Sequence, residues 1–447
     1  MSGGRTRRGP HGPGLSGLPG YLVVMLGETV SGIGSNLTTF VLTLWAWDRY
    51  GSAAAIAQVA LAFALPQLLF TLVAGVLVDR WNRRAILVVG NLVLAALVGL
   101  LAVLMSSGQL VLWEIYAVGA VQSFFAALGD QTLGASISLM VGREQLMRMN
   151  GVTQCLNVLA PICAPLLGSL LVDLVSPYWL LVGDCGSFLV VVAAVGLVAV
   201  PRPAAGAPDG QRTGPREFVR QLALGTRFLL ARRYALTLVA AFAGYQLFRS
   251  ALQVLLLPMA ASVWIHDPAS GRLLPGSAAA TGIFAAATAL RWIGTFSGGA
   301  VVFWIGEHRD KAALMVGCLA VGGVCQALNG SSLFLVAAAG LLLGGVAGAL
   351  IRAAFSTLLL PEIPAELQGR VLSTAAVITQ IGTSAGLLLI AQCSGFASAA
   401  ELFVASGVGI LVLAAGTAVA LRAAAPKPTA ADPTPAAADG LSSPASI

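Results

Sequence analysis

Lysine occurs only at Lys311 and Lys427 in these 447 residues, and neither follows a glycine-rich loop of the form G-x-x-x-x-G-K-[ST], so the chain has no such site for a nucleoside triphosphate. Histidine is nearly as scarce. His11, His266 and His308 all fall in loops, which removes serine–histidine and H-E-x-x-H chemistry from any buried position. Asp130 and Asp184 each follow a glycine, but Ala127 and Leu181 stand where an intramembrane aspartyl protease of the G-x-G-D type carries another. Six cysteines (Cys155, Cys163, Cys185, Cys318, Cys325, Cys393) fall inside apolar runs without a C-x-x-C among them, which speaks against a disulfide frame and a metal site. Charge itself is sparse. Only 10% of residues are charged, 57% are hydrophobic and the mean hydropathy is +0.88, so the chain is no water-soluble domain.

What the sequence has instead is long apolar runs of membrane-spanning length, about 20 residues each. They fall near 21–46, 53–78, 85–105, 111–138, 151–174 and 178–200, then near 234–259, 277–304, 312–328, 333–358, 371–392 and 400–421. The pattern predicts an all-α integral membrane protein of about twelve transmembrane helices in two sets of six. The net charge of +7 does not point to nucleic acid, because the basic residues are scattered singly and form no aromatic-interleaved patch.

Those basic residues report orientation instead, since they concentrate on the cytoplasmic side of membrane proteins. With the amino terminus inside, the cytoplasmic segments hold nearly all of them, while the external segments hold Arg49 and Arg272. Both termini are therefore expected in the cytoplasm. The amino-terminal Arg5, Arg7 and Arg8 precede a run that is too long for a signal peptide, contains Glu28 and lacks an A-x-A-like cleavage site, so it reads as a retained first helix.

The expected organisation is a cytoplasmic tail over 1–20, a six-helix bundle over 21–200, a Pro- and Arg-rich linker over 201–233, a second bundle over 234–421 and a disordered tail over 422–447. The linker is expected to end in an amphipathic helix around Glu217 to Arg233. The halves echo each other. Gly75 to Arg84 recurs in degraded form as Gly299, Val301, Trp304, Gly306, Arg309 and Lys311, and Glu144 with Arg148 recurs as Glu366 with Arg370, both at an offset of about 220 residues.

Charge inside the runs marks candidate functional positions, because an ionised group near a helix centre costs at least ~2.5–3.5 kcal/mol and so faces a cavity or a partner. Glu28 in the first run and Asp130 in the fourth fall in the same cytoplasmic half by the 1.5 Å rise per residue. They suit groups that bind and release a proton, or that cap a packing hydrogen bond. Ser31, Ser35, Thr38 and Thr39, with Gly32, Gly34 and Asn36, make the first helix polar enough for a cavity wall. In the second half the buried charges are all positive: Arg249, Arg291 and Arg352. Acids in one half and arginines in the other fit either salt bridges that latch the halves together, with Arg352 as a candidate, or a site for an anionic group of a substrate. A third reading lets Arg352 snorkel to the interface.

Between the second and third runs stands Gly75-Val76-Leu77-Val78-Asp79-Arg80-Trp81-Asn82-Arg83-Arg84. This hinge resembles the G-x-L-x-D-R-x-G-R-K-x-x-L loop of major facilitator superfamily transporters, matching at Gly75, Leu77, Asp79, Arg80, Arg83 and Leu87, with Arg84 for lysine. Asn82 replaces the second glycine, where Asn tolerates a left-handed backbone. Further features resemble the exporter branch that includes macrolide efflux proteins and the enterobactin exporter. These are Ser31-x-x-Gly34 and the closing Gly51-Ser52, the loop Arg143 to Gly151, Asp184 opening a helix before Ser187 and Phe188, and Gln368-Gly369-Arg370-Val371. Two departures stand beside them: Val121-Gln122-Ser123-Phe124-Phe125 lacks the fourth-helix arginine of drug antiporters, and the fifth-helix G-P-x-x-G-G survives only as Ala164-Pro165-Leu166-Leu167-Gly168-Ser169.

The resemblance implies a transporter alternating between inward-open and outward-open states, with proton-coupled export of an amphiphilic drug, secondary metabolite or siderophore from a bacterial inner membrane. It implies a monomer without cofactor whose partners are a small-molecule substrate, protons and the lipid bilayer. An importer or lipid translocase on the same fold, and a non-transporting receptor or assembly partner, stand as alternatives. It also implies that Gly75, Asp79, Arg80, Arg83 and Arg84 form a conformational gate, Asp79 and Arg83 pairing with neighbouring helices. Asp79→Asn is then expected to lower transport while leaving membrane insertion and abundance unchanged; full transport at normal abundance would remove the gate assignment.

Overall fold

The computed structural model describes residues 18–140, 146–172, 174–198, 215–265, 277–305, 310–364 and 367–424. Nearly all of them are helical. The first set comprises α1 (Leu18–Tyr50), α2 (Ala53–Arg80), α3 (Arg83–Ser106), α4 (Leu112–Met140), α5 (Leu146–Leu171) and α6 (Pro177–Leu197). After the linker helix α7 (Pro215–Ala231), the second set comprises α8 (Arg233–Arg249) with its short continuations α9 (Ala251–Val254) and α10 (Leu256–Met259), then α11 (Ser277–Ile305), α12 (Lys311–Leu328), α13 (Phe334–Leu359), α14 (Gln368–Cys393) and α15 (Ala399–Ala424). Among the described residues, nine stretches are long and apolar enough to cross a membrane. Helices α1, α5 and α11 complete the two sets of six.

Short connections force neighbouring helices antiparallel. Gly51 takes φ +60°, a left-handed turn that suits glycine, and Ser52 then caps α2 by accepting a hydrogen bond from the Ala55 N–H at 3.3 Å. The α2–α3 hinge corrects one expectation. Asn82 is extended (φ −69°, ψ 114°) rather than left-handed, and its side chain caps α3 by accepting from the Arg84 N–H at 3.1 Å. Asparagine serves here as a helix N-cap, not as a glycine substitute. The seventh span departs as well: α8 ends at Arg249, and the chain continues through α9, α10 and a π-helical turn at Ala260–Trp264, past the expected boundary. The amphipathic linker helix starts two residues before Glu217 and stops before Arg233, which instead opens α8.

The duplication is visible in the packing. In the first bundle α1 packs on α5 and α6, α2 on α4, and α3 on α4 and α6; in the second, α8 packs on α14 and α15, α11 on α13, and α12 on α13 and α15. The bundles meet where α5 lies against α11 and α2 against α14. One apolar cluster crosses that boundary at the end away from Leu18, where α1 begins, joining Phe40 and Ile56 to Leu252, Leu341 and Leu387. At its centre the Phe40 and Phe284 rings stack 5.3 Å apart and 9° from parallel. Gly168 of α5 leaves the room that Phe40 occupies, since a Cβ there would lie 2.6 Å from the ring. Large apolar side chains such as Leu69, Val103, Leu170, Leu335 and Val412 are exposed on the outside, a surface suited to hydrocarbon rather than water.

Helix α11 and α13 approach so closely that a Cβ on Gly294 would strike the Leu342 carbonyl, and one on Gly345 the Arg291 carbonyl. Gly294→Val is therefore expected to force these helices apart and destabilise the protein by about 1–3 kcal/mol. Gly299→Val, on an open face of the same helix with nothing within 4 Å, serves as the control. Equal melting temperatures for the two variants in detergent would refute the close-packing account.

Candidate functional site

A cavity of about 610 Å³ opens inside the first bundle, walled by α1, α3, α4, α5 and α6. Glu28, Ser31 and Ser35 are spaced i, i+3, i+7, which places them on one face of α1, and all three line it. Asp130 of α4 faces the same space, joined by the amides of Asn91, Gln122 and Asn157, while Leu94, Phe125, Leu133 and Phe188 supply apolar wall. The Gln122 Oε1 is buried without a hydrogen-bond donor, so one acceptor stands unused. Tyr21 and Thr153 hydroxyls 3.0 Å apart tie α1 to α5 beside the cavity.

Glu28 and Asp130 line one space, near enough for the Asp130 charge to act on Glu28. The ion pair described in the structure, Arg232 with Glu362 at 3.6 Å, lies elsewhere, and among the described residues neither cavity carboxyl has a basic partner within 4.0 Å. Two carboxyls in a partly apolar hollow can be accommodated by water, by protons or by a polar or cationic solute. That is the chemistry this arrangement makes available.

The arginines lie apart from this cavity. Arg249 and Arg291 line a second, far smaller hollow of about 10 Å³ in the other bundle, together with Tyr245, Gln326 and Asn329. Arg352 lies within electrostatic reach of Arg249, a like charge. No ion pair among the described residues joins Arg249, Arg291 or Arg352 to an acid, so the latch expected of Arg352 has no opposing carboxylate in this arrangement.

Thr38 also departs from the cavity wall. Its hydroxyl donates to Asp184 Oδ2 at 2.7 Å, and the Ser187 hydroxyl lies 2.9 Å from Asp184 Oδ1. Asp184 is almost fully buried at 1% exposure and sits well inside α6, not at its opening. Gly34 permits this, because a Cβ there would fall on the Asp184 carboxyl and 2.7 Å from Ser187 Oγ. The clasp of α1 to α6 was overlooked in the sequence, although an acid in the apolar run 178–200 carried the same signal that singled out Asp130.

At the hinge, Gly75, Asp79 and Arg80 occupy the last turns of α2, and their side chains lie outside what the structure describes. Arg83 opens α3, and Arg84 donates from Nη2 to the Gly196 carbonyl at 2.9 Å. That contact places a cation at the carboxy-terminal end of α6, where the helix dipole favours it. The loops around Glu144, Arg309 and Glu366 lie outside the described residues.

Comparison with known proteins adds the lineage. The family model of the Major Facilitator Superfamily matches residues 24–387. Macrolide efflux protein A of Streptococcus pyogenes is 22% identical over 399 residues, covering 88% of this chain and 94% of that protein. Enterobactin exporter EntS of Shigella dysenteriae serotype 1 is 32% identical over 164 residues, 36% of this chain and 37% of that one. Among solved structures, a POT family transporter in complex with 5-aminolevulinic acid superposes with a TM-score of 0.70 at 9% identity, covering 91% of this chain and 97% of that one. The nucleoside transporter NupG does so with a TM-score of 0.67 at 13% identity, covering 91% and 98%. These structural likenesses show the fold.

The Asp184 clasp has a direct test. Asp184→Asn keeps a carbonyl oxygen for the Thr38 hydroxyl and is expected to melt near the unmodified protein, whereas Asp184→Leu strands the buried Thr38 hydroxyl at a cost of about 1–3 kcal/mol, Ser187 keeping its bond to the residue-184 carbonyl at 2.7 Å. Melting curves that rank the two variants alike would show that the clasp adds nothing to stability.

Proposed function

The chain belongs to the major facilitator superfamily, and from that premise we propose that it exports an amphiphilic small molecule from the cytoplasm by alternating access, driven by inward movement of protons. It is a multi-pass membrane transporter, a non-enzymatic protein whose cargo is a small molecule. Export and coupling are the finer reading. The observation that carries it is the cavity lined by Glu28 and Asp130, two carboxyls without a basic partner within 4.0 Å among the described residues, in the half of the bundle where α1 begins.

The excess of arginine in the segments on the side where α1 begins supports a cytoplasmic position for that side. The apolar cluster around Phe40 and Phe284 then seals the outer side. A solute enters the cavity from the cytoplasm, where polar amides meet its hydrogen-bonding groups and Phe125 and Phe188 meet its apolar body. Release requires the bundles to rock about the α5–α11 and α2–α14 contacts, parting the Phe40–Phe284 stack. Protonation of Glu28 or Asp130 from outside resets the cycle, so solute and proton alternate on the same carboxyls. The names of the macrolide and enterobactin exporters support amphiphilic cargo such as an antibiotic, a secondary metabolite or a siderophore.

Everted vesicles energised by respiration, offered a mixed panel of amphiphilic compounds with a pH-sensitive dye, test both direction and coupling. Glu28→Gln keeps the side-chain shape and loses only titration, so uphill accumulation is expected to fall to the level of vesicles lacking the protein while substrate binding persists. Undiminished uphill transport by Glu28→Gln would move coupling to Asp130 or remove it from this cavity.

A further inference from the structure

We propose that Arg249 and Arg291 together hold one small inorganic anion, of the size of chloride, inside the second bundle. The distribution of charge among the helices of that bundle is the first support for it. Within helices α8 to α14 the sequence has no aspartate or glutamate, the acids of this half standing in the connections as Asp267, Glu307, Asp310, Glu362 and Glu366, and α15 has only Glu401. Glu401 lies in the first turn of α15 at the far end of the bundle, where it accepts from the Ser398 N–H at 2.8 Å. Asp310 caps α12 and Glu362 pairs with Arg232, both at the terminus-bearing face. Arg249 and Arg291 nonetheless converge on one hollow, with Arg352 adding a third positive charge near Arg249. Like charges gathered in a low-dielectric interior need a counter-charge.

The size of the hollow selects the occupant. Its 10 Å³ has room for a single particle about the size of water, so a halide requires its walls to give slightly, while a carboxylate-bearing solute, sulfate or phosphate is excluded. Gly340, Gly344 and Gly345 keep one wall free of side chains. Arg291 Nε is buried and has no hydrogen-bond partner, so at least one N–H donor stands unused. The Trp292 ring covers the guanidinium of Arg291, its centroid 4.8 Å away. Asn329 also lines the hollow with an unpartnered amide oxygen, and a flip of that amide turns N–H donors inward instead. A single water bridging Arg291 Nε–H to Asn329 Oδ1 would satisfy those two atoms but leave the positive charges uncompensated.

The full-length protein purified in detergent in sodium gluconate, then titrated with sodium chloride or bromide at constant ionic strength, provides the test. Expected are a saturable rise in melting temperature with either halide, no rise with gluconate or sulfate, and loss of the rise in the double variant Arg249→Gln, Arg291→Gln. A crystal grown in bromide should show an anomalous peak between the two guanidinium groups. Identical melting in chloride and gluconate, a halide effect that survives in the double variant, or density at the site with no anomalous signal, meaning a bridging water, would each overturn the assignment. Should the double variant fail to fold, the unmodified protein in halide against gluconate and the bromide diffraction still decide it. Because the readout is stability and not transport, its failure leaves the export reading untouched.

Discussion

Hydrocarbon cannot solvate charge, so each ionisable group within these helices has to be accommodated by the protein, by water it admits or by an ion it holds. That constraint orders the whole molecule. It keeps most arginines out of the middle of the apolar runs and separates the remaining intramembrane charges into two chemically different interiors. The first bundle holds carboxyls in a roomy cavity, while the second holds guanidinium groups around a hollow that fits one small particle. Neither interior neutralises the other through an ion pair among the described residues.

Duplication supplies the frame on which this asymmetry is built. Corresponding helices pack alike in both bundles, and only the pairs α5–α11 and α2–α14 carry the main contact between them. Besides the shared apolar cluster each bundle has a core of its own, the arrangement that a rocking motion needs. The break after Arg249 is where the second bundle departs most from a regular helix. Ser250 folds its hydroxyl back to the Leu247 carbonyl at 2.6 Å there, and Gln326 donates to the Phe248 carbonyl at 3.3 Å, so side chains take up backbone groups that the interrupted helix leaves open.

Small residues and buried hydroxyls then set how closely the helices approach. Gly34 admits the Asp184 carboxyl to the surface of α1, and Thr38 and Ser187 meet it, so an acid that would be costly alone becomes part of the α1–α6 contact. This fastens the helix that also presents Glu28, Ser31 and Ser35 to the cavity. One helix thus has a polar face that meets α6 and another that lines the cavity, centred about a fifth of a turn apart.

The apolar runs and their division into two sets of six were legible in the sequence, because span length depends on the membrane and not on which helix neighbours which. The shared face of Glu28, Ser31 and Ser35 was equally legible, since helical periodicity alone places i, i+3 and i+7 together. The partner that each face meets was not. Thr38 lies three residues beyond Ser35 yet turns to Asp184, and Asn82 caps a helix where a left-handed turn was expected. Arg291 shares a hollow with Arg249 and not with Glu28, and Phe40 finds Phe284 across the boundary between bundles. Periodicity fixes direction around one helix axis, whereas these meetings depend on crossing positions set jointly by both helices, and only the assembled bundle decides them.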